Sequence, residues 1–308
     1  MTRLLWLVSD HARLCLVIGL AGGLLLPGLV AAMVPWLPHM VAILLATTAL
    51  RIGHGAALGA LGDIRWGLAA VATLQMALPL LLWGLLSLAG LDQTPAALAI
   101  ILTAAAPAIT GSVNLALIMR LDAGRMMQIL VLGTAAFPLT VLPVLAVLPQ
   151  LGPPADVIRA ALTLLAVITL ATGAGFALRA WRFPNPTDAQ IKALDGLSVL
   201  AFAIIVVGLM AALNPALRSA PWQVAQWALL AFAISYLMQL AALLLLRRKT
   251  LAGPLALAAG NRNIAIFLVA LPPDVIAPLM IFIGCWQLPM YLTPMLLPKL
   301  YAWALTHD

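Results

Sequence analysis

The sequence predicts an all-α integral membrane protein of ten membrane spans, arranged as two inverted halves of five, and three observations carry that reading. Of the 308 residues, 65% are hydrophobic and only 8% are charged, far from the roughly 25% charged residues of soluble domains. Apolar stretches of membrane length recur along the chain, each bounded by Pro, Gly or charge. The cations sit singly or in small groups between those stretches and form no basic stripe. The net charge of +7 therefore reports topology, not nucleic-acid binding.

The first stretch, Leu14 to Val30, follows Asp10, His11 and Arg13 and has no small-residue cleavage site after it. It reads as a retained span and not as a removed leader. The next nine begin near His39, Gly67, Pro95, Gly124, Val157, Leu194, Trp222, Leu251 and Val275. The connections after the second, fourth, sixth and eighth spans are basic. They hold Arg51 and Arg65, then Arg120 and Arg125, then Arg179, Arg182 and Lys192, then Arg247, Arg248 and Lys249. Arg3, Arg13 and Lys299 fall on the same side. Of the 16 cations, only Arg159 and Arg218 lie opposite, and Arg262 lies inside a span. The positive-inside rule then puts both termini in the cytoplasm, as expected of a multi-pass protein of the cell inner membrane.

Gly152-Pro153-Pro154 separates the two halves, 1–152 and 153–308. An odd number of spans per half makes the second enter the bilayer from the opposite side, which is the layout of an inverted repeat.

The fourth span of each half is interrupted. In the first half, Pro107 and Gly111 flank Thr110 and Ser112; in the second, Gly260-Asn261-Arg262-Asn263 breaks an otherwise apolar run. Pro removes a backbone donor and Gly favours departure from the helix, so both centres can unwind where protein or water satisfies the freed groups. A helix from Leu251 to Pro272 would be roughly 33 Å long, with Arg262 near the bilayer midplane. A charge there costs on the order of 2.5 to 3.5 kcal/mol and calls for a function. Paired interrupted helices in matching positions point to the binding site of a secondary transporter.

At these segments the chain resembles the bile acid/sodium symporter family. The run Pro107-Ala108-Ile109-Thr110-Gly111-Ser112-Val113-Asn114 is similar to that family's Pro-Gly-Gly-Thr-Ala-Ser-Asn, and Ala258-Ala259-Gly260-Asn261-Arg262-Asn263 to its Glu-Val-Gly-Met-Gln-Asn. Gln75 and Trp286 also stand where the family has Gln and Trp. The resemblance implies ten spans with helices 4 and 9 crossing at their breaks. It also implies a core of spans three to five and eight to ten beside a panel of spans one, two, six and seven. The resemblance supports substrate contacts at Thr110 and Asn263 directly; with the helix N-termini after the breaks, whose free backbone donors suit an anion, the expected substrate site also takes in Ser112, Asn114, Asn261, Arg262 and Gln75.

The departures from the family are as telling. The family's sodium sites use the ninth-span Glu and Gln, the fourth-span Ser and Asn, and fifth-span hydroxyls. Here those positions hold Ala258, Arg262, Ser112 and Val113, and the fifth span is apolar near Met126 to Val131. The chain has no glutamate at all; its nine acids are aspartates in loops or at segment ends. A hard cation wants several oxygen ligands, usually with a carboxylate among them. The expectation is therefore a sodium-independent transporter of a small organic anion, with no metal and no cofactor, in which Arg262 serves as a tethered cation. Replacing Arg262 with Ala is expected to abolish transport and leave the fold intact. The alternatives are a sodium-coupled symporter retaining one ion on Gln75, Ser112 and Asn114, or an efflux permease like the metalloid and auxin carriers of the same superfamily. Against the metalloid branch, no cysteine stands in the fourth-span break.

Other residues carry less. His11, His39, His54 and His307 are single, and Cys15 and Cys285 read as small buried hydrophobes. Trp6, Trp36, Trp66, Trp181, Trp222 and Trp303 cluster near span ends, as an aromatic belt does. Gln239, Thr134 and Thr140 suit interhelical hydrogen bonds as well as they suit a pathway. The chain lacks an HExxH, a membrane aspartate pair and a Ser/His or Ser/Lys pair, which argues against a membrane enzyme. It also lacks the repeated ring of a channel.

Overall fold

The computed structural model describes residues 2–59, 62–246 and 251–305. Arg247, Arg248, Lys249 and His307 lie outside the described residues, as does the side chain of Arg13. Among the described residues all regular structure is helical, and proline often marks where a helix begins. Among the described residues Pro sits at the first position of six α-helices, where its missing N–H would have had no helical partner.

In chain order, α1 (Thr2–Asp10) precedes α2 (Ala12–Leu25), and Arg3–Asp10 meets Leu14–Leu25 at 87°. Then α3 (Pro27–Met33) leads into α4 (Leu37–Gly59), which kinks at Gly53 (φ 75°, ψ 157°). The Asp63 carboxylate caps α5 (Ile64–Ala72), a π-turn covers Thr73–Ala77, and α6 (Leu78–Leu88) continues. Thr94 caps α7 (Pro95–Ala105), accepting the Ala97 N–H at 3.1 Å. An irregular segment separates it from α8 (Ser112–Ile118). Asp122 caps α9 (Ala123–Thr140), followed by α10 (Leu142–Ala146) and α11 (Pro154–Arg182). A capping box of Thr187 and Gln190 opens α12 (Asp188–Leu209). Next come α13 (Leu213–Ser219), α14 (Pro221–Leu245) and α15 (Ala252–Gly260). After a second break a 3₁₀ stretch covers Ile264–Val269, before α16 (Pro273–Ile276), α17 (Met280–Leu296) and α18 (Pro298–Leu305).

Among the described residues, seven helices are long and apolar enough to cross a membrane: Pro27–Gly59, Ile64–Leu88, Ala123–Ala146, Pro154–Arg182, Asp188–Ser219, Pro221–Leu245 and Pro273–Leu296. They become eight if the bent pair at the start is one span. The chain is thus a multi-pass helical membrane protein. The two remaining expected spans are the interrupted ones, whose longest pieces, α7 with 11 residues and α15 with 9, are too short to cross alone.

The helices fall into two compact units that do not coincide with the two sequence halves. One comprises Met1–Leu58, Thr163–Val224 and Ala265–Gly284; the other comprises Gly59–Leu162, Ala225–Ile264 and Cys285–Asp308. Each draws on both halves.

In the first unit, helices approach closely where glycine leaves room. Gly175 of α11 lies against the Ala46 carbonyl, and Gly196 of α12 against the Leu5 carbonyl, so a Cβ at either would collide with backbone. Polar contacts join helix ends there: Arg51 pairs with Asp195, Lys192 with Asp10 at 2.7 Å, and the Trp6 indole N–H donates to the Ala189 carbonyl at 2.9 Å. In the second unit, Arg125 pairs with Asp63 at 2.9 Å and its guanidinium lies 4.6 Å from the Trp66 ring centroid. Along the chain, the starts of α5, α7 and α9 precede those of α14, α15 and α17 by one constant interval: Ile64 and Pro221, Pro95 and Ala252, Ala123 and Met280.

Candidate functional site

The two interrupted helices of the second unit meet at their breaks. The chain leaves α7 at Ala106, whose ψ of 149° turns its carbonyl off the helix, and Pro107 supplies no N–H to continue the ladder. It leaves α15 at Asn261 (φ −121°, ψ 81°). The two extended pieces then pair as an antiparallel bridge between Ala108 and Arg262. The Ile109 N–H donates to the Asn261 carbonyl at 3.0 Å, and the Asn263 N–H to the Pro107 carbonyl at 2.8 Å. Each break therefore satisfies part of the other's backbone, as non-helical backbone within a bilayer requires.

Arg262 is buried, with 1% of its surface exposed. Its guanidinium donates from Nε to the Ala259 carbonyl at 3.0 Å, from Nη1 to Ala106 at 3.0 Å and from Nη2 to Leu74 at 3.1 Å. Each acceptor is a carbonyl that lacks its usual helical donor. The donor for Ala259, the Asn263 N–H, is spent on Pro107. Ala106 ends its helix. The Leu74 carbonyl lies in the π-turn, where the Leu78 N–H bonds Thr73 instead and the following residue, Pro79, has no N–H to give. The Arg262 carbonyl in turn accepts the Trp286 indole N–H at 2.9 Å. The guanidinium thus serves the backbone at the place where sequence reading assigned it to a substrate.

The remaining expected site residues distribute around this crossing. Gln75 is buried on the same π-turn, where its Oε1 accepts from the Thr140 hydroxyl at 3.1 Å. Ser112 and Asn261 are both fully buried. The Asn261 amide donates to the Leu257 carbonyl at 2.9 Å, while Asn261 Oδ1 and Ser112 Oγ have no hydrogen-bond partner among the described residues. Asn263 is buried beside the bridge, and Thr110 and Asn114 are half-buried. The pieces after the breaks are only a seven-residue helix and a six-residue 3₁₀ stretch.

Sequence reading missed a second buried network on the α15 side of the break. The Ser235 hydroxyl donates to the Gly260 carbonyl at 2.8 Å, Gln239 Nε2 reaches Ser235 Oγ at 3.3 Å and Thr293 Oγ1 at 3.4 Å, and the Tyr301 hydroxyl donates to Gln239 Oε1 at 2.7 Å. The only sequence signals were Gln239 inside an apolar span and Gly260, where a Cβ would collide with Ser235 and Gln239. The carbonyl of Leu74 had a signal too, a proline five residues on.

No family model matches the chain, and no curated protein matches it.

Proposed function

We propose that the protein is a secondary transporter that moves a small organic anion across the cell inner membrane by alternating access, without sodium. The observation that carries this reading is the crossing itself: two interrupted helices, one from each half, bridged at Ala108 and Arg262 with a cation held between them. Such paired breaks are the usual seat of a transporter's substrate site. The constant interval between Ile64, Pro95 and Ala123 and their counterparts supports two repeats of one plan. The interleaving of both halves in each unit supports a core and a panel. The resemblance to bile acid/sodium symporters, carried by the break motifs, Gln75 and Trp286, agrees with both.

The alternation of spans is supported by side-chain pairing, and the positive-inside rule makes the shared side, with both termini, the cytoplasmic one. Arg51 with Asp195, Lys192 with Asp10, and Arg125 with Asp63 each join residues that the charge count puts on one side.

An anion is favoured because the buried Arg262 charge has no carboxylate partner among the described residues. Carbonyl dipoles solvate the charge without cancelling it, so the crossing keeps a positive potential. Thr110, Ser112, Asn114, Asn261 and Asn263 are the groups placed to contact substrate, and Arg262 contributes its charge from behind them. Bringing sodium within about 5 Å of that guanidinium would cost roughly 3 kcal/mol at an effective dielectric near 20, with no carboxylate to offset it.

One observation favours the sodium-coupled alternative. Ser112 Oγ and Asn261 Oδ1 are buried oxygens without partners, a chemistry that suits a cation. Uptake of organic acids into proteoliposomes, compared in sodium and in choline at fixed membrane potential, separates the two. Saturable uptake with counterflow and equal rates in both salts is expected. A saturable several-fold stimulation by sodium establishes the alternative, and conduction without counterflow removes the transporter reading.

A further inference from the structure

Three helices converge on one guanidinium, and the acceptors they offer are all backbone oxygens. The π-turn releases the Leu74 carbonyl, and the ends of α7 and α15 release those of Ala106 and Ala259. Two of the three are helix C-terminal carbonyls, the partially negative end of the helix dipole. We propose that these carbonyls form a cage for a monovalent planar cation that the chain fills with its own side chain. Arg262 is then a positioning residue for the crossed breaks and touches no substrate.

The geometry fits a cation fork. All three bonds have ordinary lengths of 3.0 to 3.1 Å and leave from three different nitrogens of one rigid plane. The main chain of residue 262 is pinned independently, by the bridge to Ala108 and by the Trp286 indole on its carbonyl. The side chain is therefore aimed into the cage by contacts that do not involve the guanidinium. Truncation at residue 262 should leave the cage walls in place and open a space the size of the lost group.

The inference stands apart from the transport reading, because its test reads folding stability alone. Arg262→Ala is purified with millimolar guanidinium chloride present from solubilisation onward, in parallel with equal concentrations of urea, a neutral planar molecule that also donates N–H bonds. Guanidinium is expected to raise the melting temperature of the variant by about 2 °C or more, with no rise for the unsubstituted protein and none with urea. A rise of equal size with urea, or no variant-specific rise with guanidinium, overturns the cage. Should Arg262→Ala fail to fold in every condition, Arg262→Lys and Arg262→Gln decide instead. The lysine variant is expected to melt well above the glutamine variant, and equal or reversed melting shows that the carbonyls ask only for a donor, which overturns the proposal equally.

Discussion

Two buried arginines, one in each compact unit, solve the same problem at different cost. In the first unit, α4 kinks at Gly53, and Arg179 from α11 donates to the Leu50 carbonyl at 3.1 Å and to the Arg51 carbonyl at 3.4 Å. In the second, Arg262 serves Leu74, Ala106 and Ala259. Both guanidiniums replace backbone donors lost at a helix irregularity. Arg179 stands at a span end, 9% exposed, and serves one helix; Arg262 stands in mid-span, 1% exposed, and serves three. The first repairs a kink within an element, and the second holds separate elements together. A buried charge is therefore not by itself a ligand-binding group: the number of chain segments that depend on it tells what its loss would do.

The comparison breaks most sharply at Arg262→Met, which keeps much of the volume and removes the donors. Leaving three buried carbonyls without partners, at about 1 to 3 kcal/mol each, should cost roughly 3 to 5 kcal/mol after partial relaxation. Thermal unfolding in detergent measures it, and loss of uptake should follow loss of stability. This differs from the sequence expectation that removing the side chain spares the fold. A variant that melts like the unsubstituted protein yet transports nothing would return Arg262 to the substrate.

Glycine substitutions sharpen the contrast. Gly260→Ala puts a Cβ into Ser235 and Gln239 at the end of α15 and should cost about 1 to 3 kcal/mol, because backbone and a bonded side chain must both yield. Gly53→Ala meets the Arg179 Nε at 3.2 Å and must hold φ at 75°, which costs about 1 to 2 kcal/mol. If the break dominates, Gly260→Ala lowers the melting temperature more and also slows uptake, while Gly53→Ala lowers it with uptake per folded molecule unchanged. The opposite ranking would mean that the kink of α4 is the more tightly held of the two.

The smallest effect belongs to Arg179→Met. Two carbonyls beside the kink of α4, one of them only partly buried, should cost about 1 to 2 kcal/mol. A loss as large as that of Arg262→Met in the same melting assay would erase the distinction between the two arginines.

Much of this was legible in the chain, for identifiable reasons. Hydrophobic length, proline and glycine act locally, so membrane insertion and the two breaks at Pro107 and Gly260 to Asn263 could be read from neighbours in sequence. Boundaries such as Pro95, Pro221 and the Thr187 capping box are likewise set by residues that lack or satisfy a particular N–H. The partners of Arg262 were not legible. Pro79 marks the Leu74 carbonyl as short of a donor, but a carbonyl carries no residue identity, so nothing in the letters at positions 74, 106 and 259 says that one side chain far away along the chain serves all three. Only the tertiary structure, by crossing the two breaks and setting the π-turn beside them, decided that the charge at Arg262 answers to backbone oxygen, because hydrogen bonds between distant segments depend on which segments the packing brings together.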